Sequence, residues 1–428
     1  MIPFLLYIDP GTGSMLFSIL IGVVSTLIFF GQRLFMKLKF IVSGGKAAKI
    51  SNAKIPYVIF SDHKRYWNVF KSVCDEFEKR GIDIVYWTAS SGDPALSEKY
   101  EHVKAEFIGE GNKAFARLNM MNAGICLSTT PGLDVYQWKR SRNCDWYVHV
   151  PHSADELLGY RMFGLDFYDA VLLTGDFQGE YIRRLEKMRN LPKKELVTVG
   201  CTYLDEMKKR LNSIKNCHAE LISASISESP KQVRNDTPTV LLAPSWGKSA
   251  ILSKYGSKII DTLIQTGFNI IIRPHPQTFT AEKEMIESLL AAYPDSDKLH
   301  WNYDNDNFSV LAESDIMITD FSGIILDYTF IFGKPIVFAS AEFETAPYDA
   351  AWFRETNWRL KILHELGIPL EENDFPKMKE LIENAIHDEK FSKNRKRISD
   401  EAWQNKGKSA SSIVDYLIGK NQMMKGDE

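Results

Sequence analysis

The chain has 428 residues, which is enough for two domains with buried cores, and 44% of the residues are hydrophobic. Its 52 Lys and Arg against 55 Asp and Glu give a net charge of -3, which argues against a protein that binds nucleic acid through a basic face. The five cysteines are scattered without a CxxC pair, so neither a zinc site nor a disulfide framework is indicated and a reducing compartment fits.

Residues 1–50 differ in composition from the rest of the chain. Met15 to Phe30 is almost wholly apolar, contains no charged residue, and has about the length of a tilted membrane helix. Five Lys and Arg follow it before residue 50, whereas only Asp9 precedes it. The positive-inside rule therefore predicts a single-pass anchor in the cytoplasmic membrane, with the remaining chain in the cytoplasm. A cleaved signal peptide would carry its positive charges before the apolar run.

Short strands and helices alternate through residues 54–210. Pro56 to Phe60 is predicted as a strand, Trp67 to Arg80 as a helix that ends at Gly81, and Ile82 to Trp87 as the next strand. This alternation continues along the segment and is typical of an open α/β sheet. It predicts a first Rossmann-like domain.

Two histidines lie in the predicted strand Trp146 to His152. His149 falls within the apolar alternation, so core packing is the favoured interpretation. His152 follows Pro151 and precedes residues typical of a helix start, which makes it a candidate base beside a helix N-terminus. A metal pair formed by His149 and His152 is an alternative, although no further ligand lies at a supporting spacing.

The composition changes again in residues 211–238, which are rich in Ser, Asn and Lys and predict a linker that carries an insertion. A second α/β series occupies residues 239–420. It opens with the strand Thr239 to Ala243, followed by a loop that lacks the glycine spacing of a Walker A motif. Ser245 and Lys248 of this loop could still contact a phosphate.

A rigid basic segment follows the predicted strand Phe268 to Ile272. Arg273 comes first, and two prolines then restrict the backbone on both sides of His275. A cation and a titratable imidazole are thereby held at the carboxyl end of a strand. This arrangement favours a functional over a structural histidine.

The segment Ser314 to Phe338 has the pattern of one βαβ unit, with a polar turn between its first strand and its helix. The turn contains Asp320, Phe321, Ser322 and Gly323. In parallel sheets ligands bind at the carboxyl ends of strands, and a helix N-terminus attracts phosphate. An ordinary helix N-cap explains the same residues, so both interpretations stay open.

Together, these segments resemble the CDP-glycerol glycerophosphotransferases, which are membrane-associated enzymes of teichoic-acid-type polymer synthesis. The resembling segments occur in the expected order and are His149 to Ser153, Phe163 to Asp169, Val199 to Asp205, Arg273 to Pro276, Ile318 to Gly323 with Asp327, Lys334-Pro335, and Asn405 to Ser409. Residues 56–135 match the family only in their α/β pattern.

The resemblance implies a GT-B-like fold, in which two Rossmann-like domains face each other across a cleft. The expected organisation is an anchor in residues 1–50, an acceptor domain in 54–210, a linker in 211–238 and a nucleotide-donor domain in 239–420. The implied reaction moves glycerol phosphate, or a related polyol phosphate, from a CDP-polyol to a hydroxyl of a lipid-linked or polymeric acceptor at the membrane, and releases CMP. No cofactor is expected, and the absence of an Asp-x-Asp motif predicts no essential tightly bound metal.

The resemblance also implies roles for individual residues. His152 would be the general base on the acceptor hydroxyl, while Arg273 and His275 would hold the pyrophosphate and stabilise the leaving CMP. Ser322 and the backbone N–H of Gly323 would bind a phosphate.

Two carboxylates keep alternative roles. Asp320 would either cap its turn or orient His275. Asp327 would either accept a hydrogen bond from a donor hydroxyl or pair with a basic neighbour.

Two departures from the family pattern bear on the substrate. Gly323 stands where members usually have a second Ser, and His152-Ser153-Ala154-Asp155 stands where they often have His-Gly-Thr-Pro. Three alternatives therefore remain: a GT-B glycosyltransferase that uses a UDP- or GDP-sugar, an epimerase of UDP-N-acetylglucosamine, and a degenerate non-catalytic homologue.

Overall fold

The computed structural model describes residues 54–224, 237–304, 306–339, 345–355 and 357–426. The predicted anchor, Met15 to Phe30, lies outside these ranges. Within them, no helix combines the length and the apolar composition that crossing a bilayer requires. Ile55–Glu428 forms one unit that contains two sheets.

The first sheet has seven parallel strands in the order β3-β2-β1-β4-β5-β6-β7. The strands are β1 (Ile55–Ser61), β2 (Ile84–Thr88), β3 (Val103–Phe107), β4 (Asn122–Ser128), β5 (Asn143–His149), β6 (Ala170–Leu173) and β7 (Glu195–Thr198). The α-helices of this part are α1 (Trp67–Lys79), α2 (Asn112–Leu118), α3 (Phe177–Arg189) and α4 (Thr202–Ala224). The strand order reverses between β1 and β4, where doubly wound sheets bind ligands.

The second sheet has six parallel strands in the order β10-β9-β8-β11-β12-β13. The strands are β8 (Thr239–Leu242), β9 (Asn269–Ile272), β10 (Leu299–Trp301), β11 (Ile316–Thr319), β12 (Ile336–Ala339) and β13 (Gly367–Leu370). The α-helices that follow β8 are α5 (Ile251–Tyr255), α6 (Ser257–Thr266), α7 (Thr278–Ala281), α8 (Lys283–Ala292), α9 (Phe308–Glu313), α10 (Ile324–Asp327), α11 (Trp358–Leu366), α12 (Met378–His387), α13 (Ser392–Ala402) and α14 (Ser409–Gly426). The order reverses between β8 and β11, as it does in the first sheet.

Helices cover both faces of each sheet, which explains why the strands are apolar runs rather than alternating ones. Ile316, Met317 and Ile318 of β11 are completely buried, and they contribute to the cores on opposite faces of the sheet. The helix α6 buries Ile259, Ile260 and Leu263 at helical spacing against one of these faces. The predicted parallel α/β architecture of both halves is therefore present.

The last helix returns to the first sheet. Ile413, Val414 and Leu417 of α14 are buried in the same core as Phe70 of α1, whereas the sequence assigned residues up to 420 to the second domain. Asp205 begins this return, since its carboxylate accepts from Trp403 Nε1 (3.0 Å) and from the backbone of the loop before α14. This contact unites the two resembling segments Val199 to Asp205 and Asn405 to Ser409 in a structural role.

Two other elements differ from their predicted form. The helix α4 continues through Ala224, so the predicted linker is helical over its first part, and residues 225–236 lie outside the described ranges. The helix predicted from Ile324 to Phe332 is α10 followed directly by a π-helical turn, Tyr328–Phe332. Such turns occur often at functional sites.

Candidate active site

A cavity of about 620 Å³ lies between the carboxyl ends of the strands of the two sheets. The first half contributes the loops after β1 and β5, and the second half contributes the loops after β8, β9 and β11. The cavity lining includes eight of the residues selected from the sequence: His152, Ser245, Lys248, Arg273, His275, Ser322, Gly323 and Asp327. The parallel strands thus bring segments that are distant in sequence to one cleft.

His152 follows β5 and presents its ring to the cleft beside two tyrosines. Its ring centroid lies 5.3 Å from that of Tyr66 and 6.3 Å from that of Tyr160. Its Nδ1 is buried and has no hydrogen-bond partner among the described residues, so Nε2 is the nitrogen that a substrate can reach. Burial, reinforced by the cations Arg65 and Arg359, lowers the pKa of His152 to about 4. The ring is therefore neutral near pH 7 and able to accept a proton.

His275 follows β9, and its two flanking prolines hold it at the cleft. Its Nδ1 accepts a hydrogen bond from the backbone N–H of Gln277 (3.1 Å), so the proton of the neutral ring resides on Nε2. Burial, followed by the charges of Arg65 and Arg273, lowers the pKa of His275 to about 4. This imidazole is consequently a neutral hydrogen-bond donor near pH 7.

Arg273 is held in place from behind. Its guanidinium donates to Asn302 Oδ1 and to the carbonyl oxygen of Asp304 (2.9 Å for the latter). Burial lowers the pKa of Arg273 from its usual 12.5, and nearby acidic residues oppose this shift. An arginine remains charged near pH 7, so the cleft has a positioned cation beside His275.

Asp320 is completely buried and does not line the cleft, which corrects its selection as a nucleotide-binding residue. Its carboxylate accepts from the backbone N–H groups of Ser245 (2.9 Å) and Ile251 (2.9 Å). Burial raises the pKa of Asp320 to about 6, although these N–H groups oppose the shift. Asp320 therefore shapes the loop that presents Ser245 and Lys248.

That loop, residues 244–250, also reaches the His275 segment. The rings of Trp246 and His275 lie 6.4 Å apart with an interplanar angle of 31°. Gly247 has a φ of 96°, which disfavours other residues, and its N–H donates to Glu282 Oε1 at 3.1 Å. The exposed Lys248 is thus carried on a well-anchored loop.

Asp327 lines the cleft one helical turn beyond Gly323. Its Oδ2 accepts from Asn307 Nδ2 (3.1 Å) and from Tyr203 Oη (3.3 Å). These partners are neutral, so the alternative in which Asp327 pairs with a basic neighbour is wrong. Burial raises the pKa of Asp327 to about 7, and the two hydrogen bonds oppose this effect.

His149 is fully buried behind the cleft, in agreement with core packing. Its Nε2 lies 3.0 Å from Tyr160 Oη, and its ring is 5.1 Å from that of Tyr168. Burial lowers the pKa of His149 to about 3. Within the described ranges, no group of three or more His, Cys, Asp or Glu is arranged to hold a metal ion.

An ion pair that the sequence did not reveal connects the His152 loop to the Ser322 turn. Arg359 donates through Nε to Asp155 Oδ1 (3.1 Å) and through Nη1 to the carbonyl oxygen of Phe321 (2.7 Å). The neighbouring Glu156 accepts from the backbone N–H of Trp358 (2.6 Å), and its pKa is raised to about 7 by burial and by Asp155. Both halves of the cleft are therefore held together at the point where its loops meet.

The two departures from the family pattern meet at this ion pair. A Cβ at Gly323 would lie 3.7 Å from Asp155 Oδ2, which is ordinary van der Waals contact. Lys334 of the resembling set instead lies outside the cavity lining, where its Nζ donates to the carbonyl oxygens of Leu311 (3.0 Å) and Ala312 (2.6 Å) at the end of α9. It caps a helix rather than facing the cleft.

Sequence comparison matches residues 179–419, more than half of the chain, to the family described as CDP-glycerol:poly(glycerophosphate) glycerophosphotransferase. No curated protein matches the chain.

Several solved structures share the fold. The wall teichoic acid polymerase TagF has a TM-score of 0.56 at 15% sequence identity, over 93% of this chain and 98% of that chain. A TagF variant soaked with CDPG has a TM-score of 0.54 at 14% identity, over the same shares of both chains. UDP-GlcNAc 2-epimerase of Methanocaldococcus jannaschii, in complex with UDP-GlcNAc and UDP, has a TM-score of 0.53 at 12% identity, over 86% of this chain and 100% of that chain. These likenesses confirm the predicted GT-B-like α/β fold.

Proposed function

The chain belongs to the CDP-glycerol:poly(glycerophosphate) glycerophosphotransferase family, and from this premise we propose that it moves glycerol phosphate from CDP-glycerol to an acceptor hydroxyl and releases CMP. The acceptor in this proposal is a glycolipid or polymer of the cell envelope. One observation carries the proposal: imidazoles from the two sheets, His152 and His275, line a single cavity together with cations and a strand-end turn.

The second half supplies the groups suited to a diphosphate. Arg273 and Lys248 are cations in the cleft lining, and the Ser322–Gly323 turn precedes the helical segment that begins with α10. His275 adds an Nε2–H donor, since its Nδ1 is already occupied. Guanidinium and ammonium groups neutralise phosphate oxygens, and backbone N–H groups at a helix start bind them. We assign the nucleotide donor to this half.

The first half supplies the base. In the reaction, the acceptor oxygen attacks the phosphorus that carries the glycerol, and a new P–O bond forms. The bond from this phosphorus to the oxygen shared with the cytidylyl phosphate breaks, and that oxygen leaves with the bonding electrons as part of CMP. The hydroxyl proton passes to His152 Nε2, which is neutral near pH 7 because its pKa is lowered. Positioning and charge neutralisation contribute most of the rate enhancement in such transfers.

The apolar segment Met15 to Phe30 completes the proposal, because an acceptor embedded in a membrane is reached most easily by an anchored enzyme. The acceptor oxygen would then approach from the membrane to the cleft beside His152. Asp327 would accept a hydrogen bond from a hydroxyl of the donor, since it lines the cavity with neutral partners.

The proposal is tested by measuring CMP release from the full-length protein with poly(glycerophosphate) as acceptor. CDP-glycerol, CDP-ribitol and UDP-GlcNAc are compared as donors, and we expect release only from a CDP-polyol. His152→Ala should lower kcat by about 10²–10⁴-fold, the range of general-base catalysis. His275→Ala should lower kcat and raise the KM for CDP-glycerol.

His300→Ala is the matched control, because His300 lies on the surface in β10, outside the cavity lining, with 60% of its side chain exposed. It should keep wild-type kinetics. Wild-type turnover in both the His152 and His275 variants would refute the assignment of the site, and nucleotide release from UDP-GlcNAc alone would identify a sugar-nucleotide enzyme instead.

A further inference from the structure

Arg65 is a cation of the cleft to which neither the sequence motifs nor the family match assigns a role. It lies in a 3-10 turn, Lys64–Tyr66, directly after β1, and its side chain lines the same cavity as His152 and His275. The residue is exposed, and within the described ranges no Asp or Glu forms a salt bridge with it. An arginine kept in a cleft without a carboxylate partner is available to an anionic ligand.

The position of Arg65 relative to the two imidazoles is informative. Its charge is the strongest charge effect on His152 and also on His275, and in both cases it opposes protonation. Arg359 acts only on the first of these rings and Arg273 only on the second. Arg65 is therefore the cation that the base and the diphosphate-facing imidazole have in common.

From this arrangement we propose that Arg65 binds the non-bridging oxygens of the phosphoryl group while it passes from the donor half to the acceptor half. The inference rests on the proposed function and assigns a further catalytic residue to it. The bonds made and broken are those of the transfer described above. Arg65 changes no bond, but it offsets the negative charge on the phosphoryl oxygens when the attacking and leaving oxygens are both partly bonded.

Three features distinguish Arg65 from the other cations of the cleft. Arg273 and Lys248 belong to the second half and suit the bound donor, whereas Arg65 reaches the transferred group from the first half. Arg161 also comes from the first half and lines the cavity, but it is not among the charges that shift either imidazole. Arg65 also precedes residues 179–419, to which the family match is confined.

The experiment compares full-length Arg65→Gln and Arg65→Lys with Lys64→Gln. Lys64 is the matched control, since it is an exposed cation of the same turn that does not line the cavity. We expect Arg65→Gln to lower kcat by about 10²–10³-fold, as the loss of one oxyanion-stabilising group does in other enzymes, with little change in the KM for CDP-glycerol. Arg65→Lys should recover part of kcat, because it restores the charge without the planar fork. Lys64→Gln should match the wild type.

The pH dependence of kcat/KM supplies a second readout, which a purely structural role would not change. The groups that act on His152 are Arg65 and Arg359, with the rings of Tyr66 and Tyr160 beside it, and those that act on His275 are Arg65 and Arg273, with the ring of Trp246 beside it. Removal of one cation makes protonation of both rings easier, so their pKa values rise. The acid limb of the profile should therefore move to higher pH in Arg65→Gln and stay in place in Lys64→Gln.

Several results would overturn the inference. Arg65→Gln with kcat within threefold of the wild type would do so, as would an equal loss in Lys64→Gln. Lost activity with an unmoved acid limb and no rescue by Lys would show that Arg65 only supports its turn. A wild-type protein that releases no CMP from CDP-glycerol would overturn the proposed function as well, whereas an active wild type with a fully active Arg65→Gln would overturn this inference alone.

Discussion

The ion pair between Asp155 and Arg359 should prove to be an energetic unit that also positions the Ser322 turn. The test uses Asp155→Ala, Arg359→Met and the double variant. Only 8% of the Asp155 side chain and 19% of the Arg359 side chain are exposed. Removal of one partner therefore leaves the other charge largely buried and uncompensated, a change that costs about 3–5 kcal/mol in buried pairs.

Each single variant should lose about 3 kcal/mol, the lower end of that range, because Arg359 keeps some contact with solvent. The double variant leaves neither charge uncompensated and should be more stable than either single variant, with a coupling energy of about 2–3 kcal/mol. Activity should follow a different pattern. Arg359 also donates to the carbonyl oxygen of Phe321, so every variant that lacks Arg359 should keep a low kcat.

Chemical denaturation of the three variants and the wild type, followed by tryptophan fluorescence, measures the free energies of unfolding, and CMP release measures activity. If the effects of the two single substitutions add within about 0.5 kcal/mol, the pair is not an energetic unit. If the double variant regains wild-type kcat, the contact of Arg359 with the Phe321 carbonyl does not position the turn.

Two further predictions concern residues with separable roles. Lys334→Met should lower stability by about 1.5–3 kcal/mol, since the charged cap of α9 is lost, but should leave the kinetics of CMP release unchanged; reduced kcat at wild-type stability would contradict the capping role. Asp327 has a folded pKa of about 7 against an ordinary 3.8, so the folded state binds more protons between these values and the free energy of unfolding falls as pH rises from 4 to 7. Asp327→Asn should remove this slope and add at most about 4 kcal/mol at pH 8 relative to pH 4, measured by denaturation at both pH values, and an unchanged slope would refute the assigned shift.

The position of the cleft follows from the sequence to a considerable extent. Apolar runs that end in proline or polar turns identify strand ends, and parallel strands bring these ends to one edge of each sheet. His152, Ser245, His275 and Ser322 were all selected by this reasoning, and all of them line the cavity. The direction of a single side chain does not follow in the same way, because Asp320, selected on the same grounds, points to backbone N–H groups below the cleft.

The missed residues share a physical cause. Arg359 is the second residue of an ordinary helix and Arg65 belongs to a short turn, so neither has a local pattern that distinguishes it from a solvated surface arginine. Their roles come from contacts with partners far away in the chain, such as Asp155 for Arg359. The return of α14 to the first core is hidden for the same reason, since its buried Ile413 and Leu417 would fit either half.

The placement of α14 has a consequence for the birth of the protein on the ribosome. The amino-terminal half emerges first, yet the apolar surface that Ile413, Val414 and Leu417 finally cover stays open until translation is almost finished. This half must therefore wait, partly open to solvent and to chaperones, while the whole second sheet is synthesised. A premature stop after α13 would release a polypeptide whose first half lacks its closing piece, and cellular quality control would treat both halves as one defective product.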